Sequence, residues 1–304
     1  MKATAFAPAS VGNVAVGFDI LGHSVEGAGD RATVERTTSG RVVIRAIHGV
    51  VENLPLAPEA NTAGRALLGV LAKRPGLGFE VELHKGIALG SGMGGSAASA
   101  VAALVAANAV LDVPLTMAEL YELAIEGESA ASGSRHGDNV APMLLGGLVI
   151  APAQGLPVSV PVPAALHCAL VHPHFVLETR TARAALKGAY ELHDFVVQSE
   201  GLALVLAGCF SGSLETIRRG LRDVLVEPRR ASLIPGFERV KQAALDCGAL
   251  GASISGAGPS VFAWCDGRAT AQRAATAMQA AFSTVGLAAD VLVSPVAGPA
   301  AHLV

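Results

Sequence analysis

From 79 to 84 apolar and polar side chains alternate, Phe79, Val81 and Leu83 against Glu80, Glu82 and His84, and this period of two predicts a half-buried strand. A glycine-rich turn follows. Beyond it, the stretch 97–111 carries Val101, Leu104, Val105 and Ala109 at helical spacing, so the order reads strand, glycine loop, helix. Thr116, with Glu119 three residues on, forms a capping box that opens a second helix from Met117 to about Glu126, with Gly127 near its end. The segment 155–163 holds Pro157, Pro161 and Pro163; proline donates no ladder hydrogen bond, so a boundary between two halves near residue 155 is expected there rather than a central strand. In the second half 166–171 reads as a strand, and 181–186, 196–206 and 270–282 read as helices. Strands and helices interleave, which makes the class mixed α and β.

At 304 residues the chain exceeds the size at which one core stops growing, and two domains are expected, 1–155 and 156–304. Hydrophobic residues make up 51%, but much of this is Ala and Val. The apolar stretch 97–111 is interrupted by Ser99 and Asn108 and falls short of the roughly 20 residues that span a bilayer, so no membrane helix is predicted. Residues 1–9 carry one Lys and no long apolar run, unlike a signal peptide, so a cytoplasmic location is expected. Cys168, Cys209, Cys247 and Cys265 are widely separated and form no C-x-x-C pair, which suits structural thiols in a reducing compartment. A net charge of −3, only 4% aromatics and no long basic run argue against nucleic acid as a partner.

Three glycine-containing segments carry candidate chemistry. The middle one, Gly90-Ser91-Gly92-Met93-Gly94-Gly95-Ser96, runs straight into the second half of the strand–loop–helix unit. Glycines allow positive φ and close approach, and the free N–H groups of a first helical turn form an anion site, so the segment serves either as a flexible turn or as a phosphate cradle. Gly90-x-Gly92-x-x-Gly95 also fits a dinucleotide fingerprint, but no second strand ending in an acid follows Asp112; a Walker loop fails because no Lys follows the glycines. A helix N-terminus alone contributes about 0.3–2 kcal/mol toward an anion. A metal must then carry much of a polyphosphate's charge, and Ser96 with Glu128 supplies the one or two protein oxygens that magnesium uses, although a surface Glu is the default reading of position 128. The first segment, 7–19, sets Asn13 and Asp19 among small residues; the third, 248–260, reads by itself as a tight turn between strands. His172-Pro173-His174 has ligand-like spacing without a completing ligand, and no Gly-x-Ser-x-Gly elbow supports a hydrolase.

Taken in order, the three segments resemble the GHMP kinases over nearly the whole chain. Within that family the chain is most similar to the homoserine kinase branch: Asn13–Asp19 matches N-x-x-x-G-F-D, Gly90–Ser99 the phosphate loop, and His136–Pro142 an H-x-D-N-V-A-P segment. Glu227-Pro228-Arg229-Arg230 followed by Leu233-Ile234-Pro235-Gly236-Phe237 is a fourth match. The resemblance implies an α+β, two-domain fold of mixed sheets with helices packed on them and the ATP site between the domains. It implies phosphorylation of the side-chain hydroxyl of L-homoserine by ATP with Mg2+, a step of threonine biosynthesis, in a homodimer free of membrane and nucleic acid. By position it implies that Gly90, Ser91, Gly92, Met93, Gly94, Gly95 and Ser96 wrap the ATP phosphates, with Asn61 and Lys85 also on the nucleotide. Ser96 and Glu128 then hold magnesium, Asn13, Asp19, His136, Asn139, Arg183 and Arg230 hold homoserine, and Asp138 and Asn139 are the candidate catalytic side chains. Guanidinium groups suit the α-carboxylate and Asp19 the α-ammonium. Gly95 departs from the family's usual Ser, and Gly12, Ala15 and Val16 from its usual Ala, Gly and Pro. Another GHMP kinase acting on an isoprenoid or sugar alcohol, a non-catalytic ligand sensor of the same fold, and an NAD-dependent oxidoreductase are the alternatives.

Overall fold

The computed structural model describes residues 1–132 and 135–304, the side chains of 130–132 excepted. The first half runs β1 (Lys2–Gly12), β2 (Leu21–Thr37), β3 (Val42–Gly49), α1 (Thr62–Lys73), β4 (Gly78–Lys85), α2 (Gly95–Ala109), α3 (Met117–Ser132), α4 (Val140–Leu145), β5 (Leu148–Ile150) and β6 (Val158–Val160). There follow β7 (Leu166–Pro173), α5 (Thr179–Ala184), α6 (Leu192–Ser211), α7 (Leu214–Gly220), α8 (Glu227–Arg230), α9 (Phe237–Asp246), β8 (Gly251–Ile254), β9 (Val261–Asp266), α10 (Arg268–Ser283), β10 (Ala289–Pro295) and β11 (His302–Leu303).

One sheet has the order β11-β1-β2-β4-β3, with β5 and β6 attached beside β2, and is mixed because β3 and β4 run parallel. The other is antiparallel, in the order β10-β7-β9-β8. β6 pairs with β5 alone, an edge position that proline-rich flanks permit. Side chains at alternate positions of β2 (Ala32, Val34) and β4 (Phe79, Val81, Leu83) face the core, as the period of two requires. Against this sheet lies α2, buried on nearly every side; its run of Ala lets the strands and α1 and α3 approach it closely. α9 and α10 cover the second sheet. Across the junction, Trp264 on β9 donates its indole N–H to Nε2 of His23 on β2 at 3.2 Å, both residues having no exposure.

Two expected helices differ in extent. α3 does not stop near Gly127 but continues to Ser132, which places Glu128 inside the helix rather than beyond it. A Cβ at 127 would sit 2.7 Å from the Thr62 carbonyl oxygen and 2.8 Å from Ala66 Cβ, so this glycine permits close packing of α3 on α1 instead of ending a helix. α6 extends from Leu192 to Ser211, well past the expected 196–206. It is, among the described residues, the one helix long and apolar enough by length and composition to cross a membrane, with a mean hydropathy of 1.3, where the sequence reading expected none. One face of α6, with Gly201, Val205 and Gly208, packs on α7, while Leu192, Phe195, Val196 and Phe210 are exposed. The four cysteines are free thiols.

Candidate active site

The glycine loop joins β4 to α2. Gly90, Gly92 and Gly94 have φ of 62°, 76° and 73°, the left-handed region that side chains disfavour. At Gly92 the constraint is also steric, since a Cβ would lie 2.5 Å from the Ser255 carbonyl oxygen. Gly94 is the N-cap of α2 and among the described residues no side chain caps the helix, so the N–H groups of its first turn are left for an acceptor of another kind.

The three segments that the sequence sets far apart meet at this loop. Ser10 donates its backbone N–H to Met93 O at 3.1 Å, and the Ser255 hydroxyl donates to Gly92 O at 2.8 Å. The Ser260 N–H reaches Ser91 O at 3.2 Å and the Gly256 N–H reaches Gly12 O at 3.1 Å. Asn13 donates through Nδ2 to Gly256 O at 2.7 Å and accepts the Asp19 N–H at 2.9 Å. This knot holds Asn13, Val14 and Ala15 at φ of 69°, 41° and 58°, and such strain persists where surroundings over-determine the backbone. Ala15 is one of the strained positions.

Two buried carboxyls flank the loop. The Ser96 hydroxyl donates to Glu128 Oε1 at 3.4 Å, and burial, then the charge of Asp138, pushes the Glu128 carboxyl up to about 8. Asp138 accepts the Asn13 N–H at 3.2 Å and the Asn139 side-chain N–H at 3.3 Å; burial, then the charge of Asp19, pushes it up to about 7. Gly12 makes room for it, because a Cβ there would lie 2.5 Å from Asp138 Oδ2. Asn139 also accepts the Ser10 hydroxyl at 2.8 Å. Oxygen donors whose ionised form is disfavoured by burial fit a hard divalent cation, which would restore the missing charge. The described residues contain no cluster of three or more His, Cys, Asp or Glu that would hold a metal without help from a ligand.

At the other side Arg183 forks onto Asp19 through two bonds of 3.1 Å, and His136 Nδ1 lies 3.4 Å from the same carboxylate. Burial holds His136 below its ordinary range, against the opposing pull of Asp19. Among the described residues His136 Nε2 and Arg183 Nε are buried without a hydrogen-bond partner, and a cavity of about 300 Å³ opens beside Asp19 and His136, lined also by Ile20, Tyr121 and Ile125. Arg230 is 2% exposed and donates to Ala182 O at 3.0 Å and Gly256 O at 3.1 Å, which ties α5, the helix that carries Arg183, to the third glycine segment.

Of the residues expected here, Asn13, Asp19, His136, Asp138, Asn139, Arg183, Arg230, Ser96 and Glu128 come together around the loop. Asn61 and Lys85 have buried side chains already engaged. Asn61 caps α1, accepting from Ala63 N at 3.0 Å and Gly64 N at 3.3 Å, and Lys85 is paired with Asp30. Sequence reasoning missed Ser10, Ser255 and Asp30. Only Asp30 left a signal: it occupies an inward position of β2, in register with Ala32 and Val34, where an acid has no reason to be unless it is paired.

A model of the GHMP kinases N terminal domain matches residues 61–147, and one of the GHMP kinases C terminal region matches 205–284. A homoserine kinase of Xanthomonas campestris pv. campestris is 59% identical over 303 residues, covering 99% of this chain and 94% of that one. A homoserine kinase of Chloroherpeton thalassium is 44% identical, with 97% of each covered. The crystal structure of homoserine kinase from Cytophaga hutchinsonii superposes with a TM-score of 0.95 at 39% identity, covering 100% of this chain and 97% of that one. With its two family regions in order and full-length relatives well above the identity at which folds and families diverge, the chain belongs to the GHMP kinases.

Proposed function

We propose that this enzyme transfers the γ-phosphoryl group of ATP to the side-chain hydroxyl of L-homoserine, giving O-phospho-L-homoserine and ADP. The observation that carries the reading is the uncapped first turn of α2 behind a loop of left-handed glycines, with buried Glu128 and Asp138 on one side and the Asp19–Arg183 pair on the other. Identity of 59% to a named homoserine kinase supports the substrate.

In this reading Gly90, Ser91, Gly92, Met93, Gly94, Gly95 and Ser96 wrap the phosphates, and Asn61 and Lys85 belong to the same nucleotide site. Ser96 and Glu128 hold Mg2+, which when bound offsets phosphate charge that no lysine of the loop meets. Asp19 takes the substrate ammonium and Arg183 its carboxylate, so that the zwitterion replaces one internal ion pair with two of its own. Asn13 and Arg230 fix the walls of that pocket, and His136 and Asn139 complete it. The substrate oxygen attacks the γ-phosphorus in line, its bond forms as the bridge to the β-phosphate breaks, and ADP leaves with the bridging oxygen. A loose transition state needs position and charge more than a base. Asp138 nonetheless titrates near neutrality, so its ionised fraction can take the hydroxyl proton. We carry in the same reading a division of the chain near residue 155, a homodimer, and a cytoplasmic enzyme without nucleic-acid or membrane partners.

A coupled ADP-release assay with homoserine, threonine, mevalonate and galactose in parallel tests the proposal. Homoserine is expected to exceed each of the others by at least about 100-fold in kcat/KM, the discrimination that a correctly paired buried polar site provides. Comparable turnover of mevalonate or galactose would overturn it.

A further inference from the structure

Beneath the glycine loop lies a buried charge cluster that touches none of the groups assigned to homoserine. Asp30 on β2 and Lys85 at the end of β4 are 1% and 5% exposed and form an ion pair. The second oxygen of Asp30 accepts the N–H groups of Gly86 at 3.0 Å and Ile87 at 3.2 Å, where the chain leaves β4. Lys85 Nζ donates to Gly95 O at 2.7 Å, where the chain enters α2. The Ser99 hydroxyl, one turn further along α2, closes the set at 2.7 Å from both charged partners. One carboxylate and one ammonium therefore grip the loop at its beginning and its end.

An ion pair so enclosed has a bland explanation, namely that it holds two strands together. β2 and β4 are already joined by a continuous ladder from Arg31–His84 to Thr37–Gly78, however, and need no further tie. The bonds instead run outside that ladder, to the N–H groups of residues 86 and 87 and the C=O of residue 95. Lys85 also stands where a direct phosphate ligand would be sought, yet its three N–H directions end on Asp30, Gly95 and Ser99.

We infer that Asp30, acting with Lys85 and Ser99, is a positioning residue that sets the conformation of the phosphate loop, so that Lys85 acts on ATP through the Gly95 carbonyl rather than by touching it. The inference rests on the loop being the ATP site. It separates from the direct-ligand reading by sign. Asp30→Asn frees the ammonium: if Lys85 were a phosphate ligand, ATP would bind as well or better, whereas a broken clasp loosens the loop and weakens ATP.

The test measures KM for ATP and for homoserine, together with melting temperature and MgADP affinity by thermal shift, in the full-length enzyme. Asp30→Asn is expected to raise the ATP KM about tenfold while the homoserine KM stays within about twofold, and Ser99→Ala to raise the ATP KM about threefold. Asp30→Asn with Lys85→Met is expected to be no worse than the poorer single variant, because both charges leave together. Should Asp30→Asn fail to fold, Ser99→Ala decides alone, since it removes one hydroxyl and no charge. An unchanged or lowered ATP KM, or melting temperatures that fall while both KM values hold, would overturn the clasp. Wild-type enzyme inactive on homoserine would sink the proposed substrate instead, and the MgADP affinities of the variants would still judge the clasp.

Discussion

Two groups of buried charge lie within the same helix–sheet layer and are handled in opposite ways. Asp30 meets an ammonium, a hydroxyl and two backbone N–H groups, so its charge is fully answered by the protein. Glu128 and Asp138 are buried to a similar degree, but burial first and a neighbouring carboxylate next drive both toward the neutral form. A cluster whose opposite charges meet fixes geometry, and carboxyls that burial drives toward the neutral form gain affinity for a positive charge. The difference separates a residue that shapes the site from residues that wait for its contents.

The contrast breaks most visibly on removal of the cation. Chelation of divalent ions is expected to abolish turnover, and Glu128→Gln to lower kcat/KM by more than about 100-fold, beyond the range for loss of an outer-sphere partner because Glu128 is proposed to hold the ion itself. In the metal-free protein the same substitution is expected to raise the melting temperature at neutral pH, since Gln needs no proton taken up on folding whereas a carboxyl raised to about 8 does. Asp30→Asn should lower it, because breaking a buried pair costs about 3–5 kcal/mol. Differential scanning fluorimetry of both variants in chelator checks the pair of signs; a Glu128→Gln protein that melts earlier than wild type would erase the distinction.

The first group was nearly invisible in the sequence and the second legible only in part, for a physical reason. Asp138 sits within the His136–Pro142 segment, Glu128 was paired with Ser96 only against a default reading as a surface Glu, and the order strand, loop, helix around Gly90–Ser96 follows from local periodicity and glycine alone. Asp30 lies 55 positions before Lys85, and only the β2–β4 register puts the two side by side. Gly127 misled for a related reason, because a glycine that ends a helix and one that lets two helices touch look alike until the partner, here Thr62 and Ala66, is known. Arg230 was expected on the substrate carboxylate, and its two bonds to backbone carbonyls of α5 and the third segment are a role that no local pattern encodes.

The Asp19–Arg183 pair sharpens the contrast from between its extremes, being satisfied internally yet exchangeable with a zwitterion. Arg183→Ala removes a charge-assisted bond of about 1.5–3 kcal/mol and is expected to raise the homoserine KM roughly 10- to 150-fold with the ATP KM little changed. An equal rise in both would mean that Arg183 supports the loop and not the substrate.

Proton linkage reads the two raised carboxyls directly. A carboxyl raised on folding contributes stability that is complete below its unfolded value near 4 and lost as pH climbs through the folded one, so Asp138 and Glu128 set a window ending at about 7 and 8. The metal-free melting temperature is expected to fall between pH 6 and 8.5, Mg2+ with ADP to restore it, and Glu128→Gln to flatten the upper part. A flat metal-free profile in wild type would show that the two carboxyls ionise freely.

The smallest effect comes from a group of opposite sign outside both clusters. His23 is buried between the sheets as the neutral ring, accepting from Trp264 and donating through Nδ1 to Ser24 O, and burial lowers it to about 4. A histidine depressed on folding gives stability that is complete above its unfolded value near 6.5 and lost as pH falls toward the folded one. From pH 5.5 to 6.5 it therefore adds roughly 1 kcal/mol with rising pH, while the two carboxyls subtract more. His23→Gln removes the rising component, so its metal-free melting temperature should decline more steeply over that interval than that of wild type, whatever its absolute value. Parallel slopes would mean that the ring takes up a proton in place, and that the contact between the sheets tolerates a charge which its burial forbids.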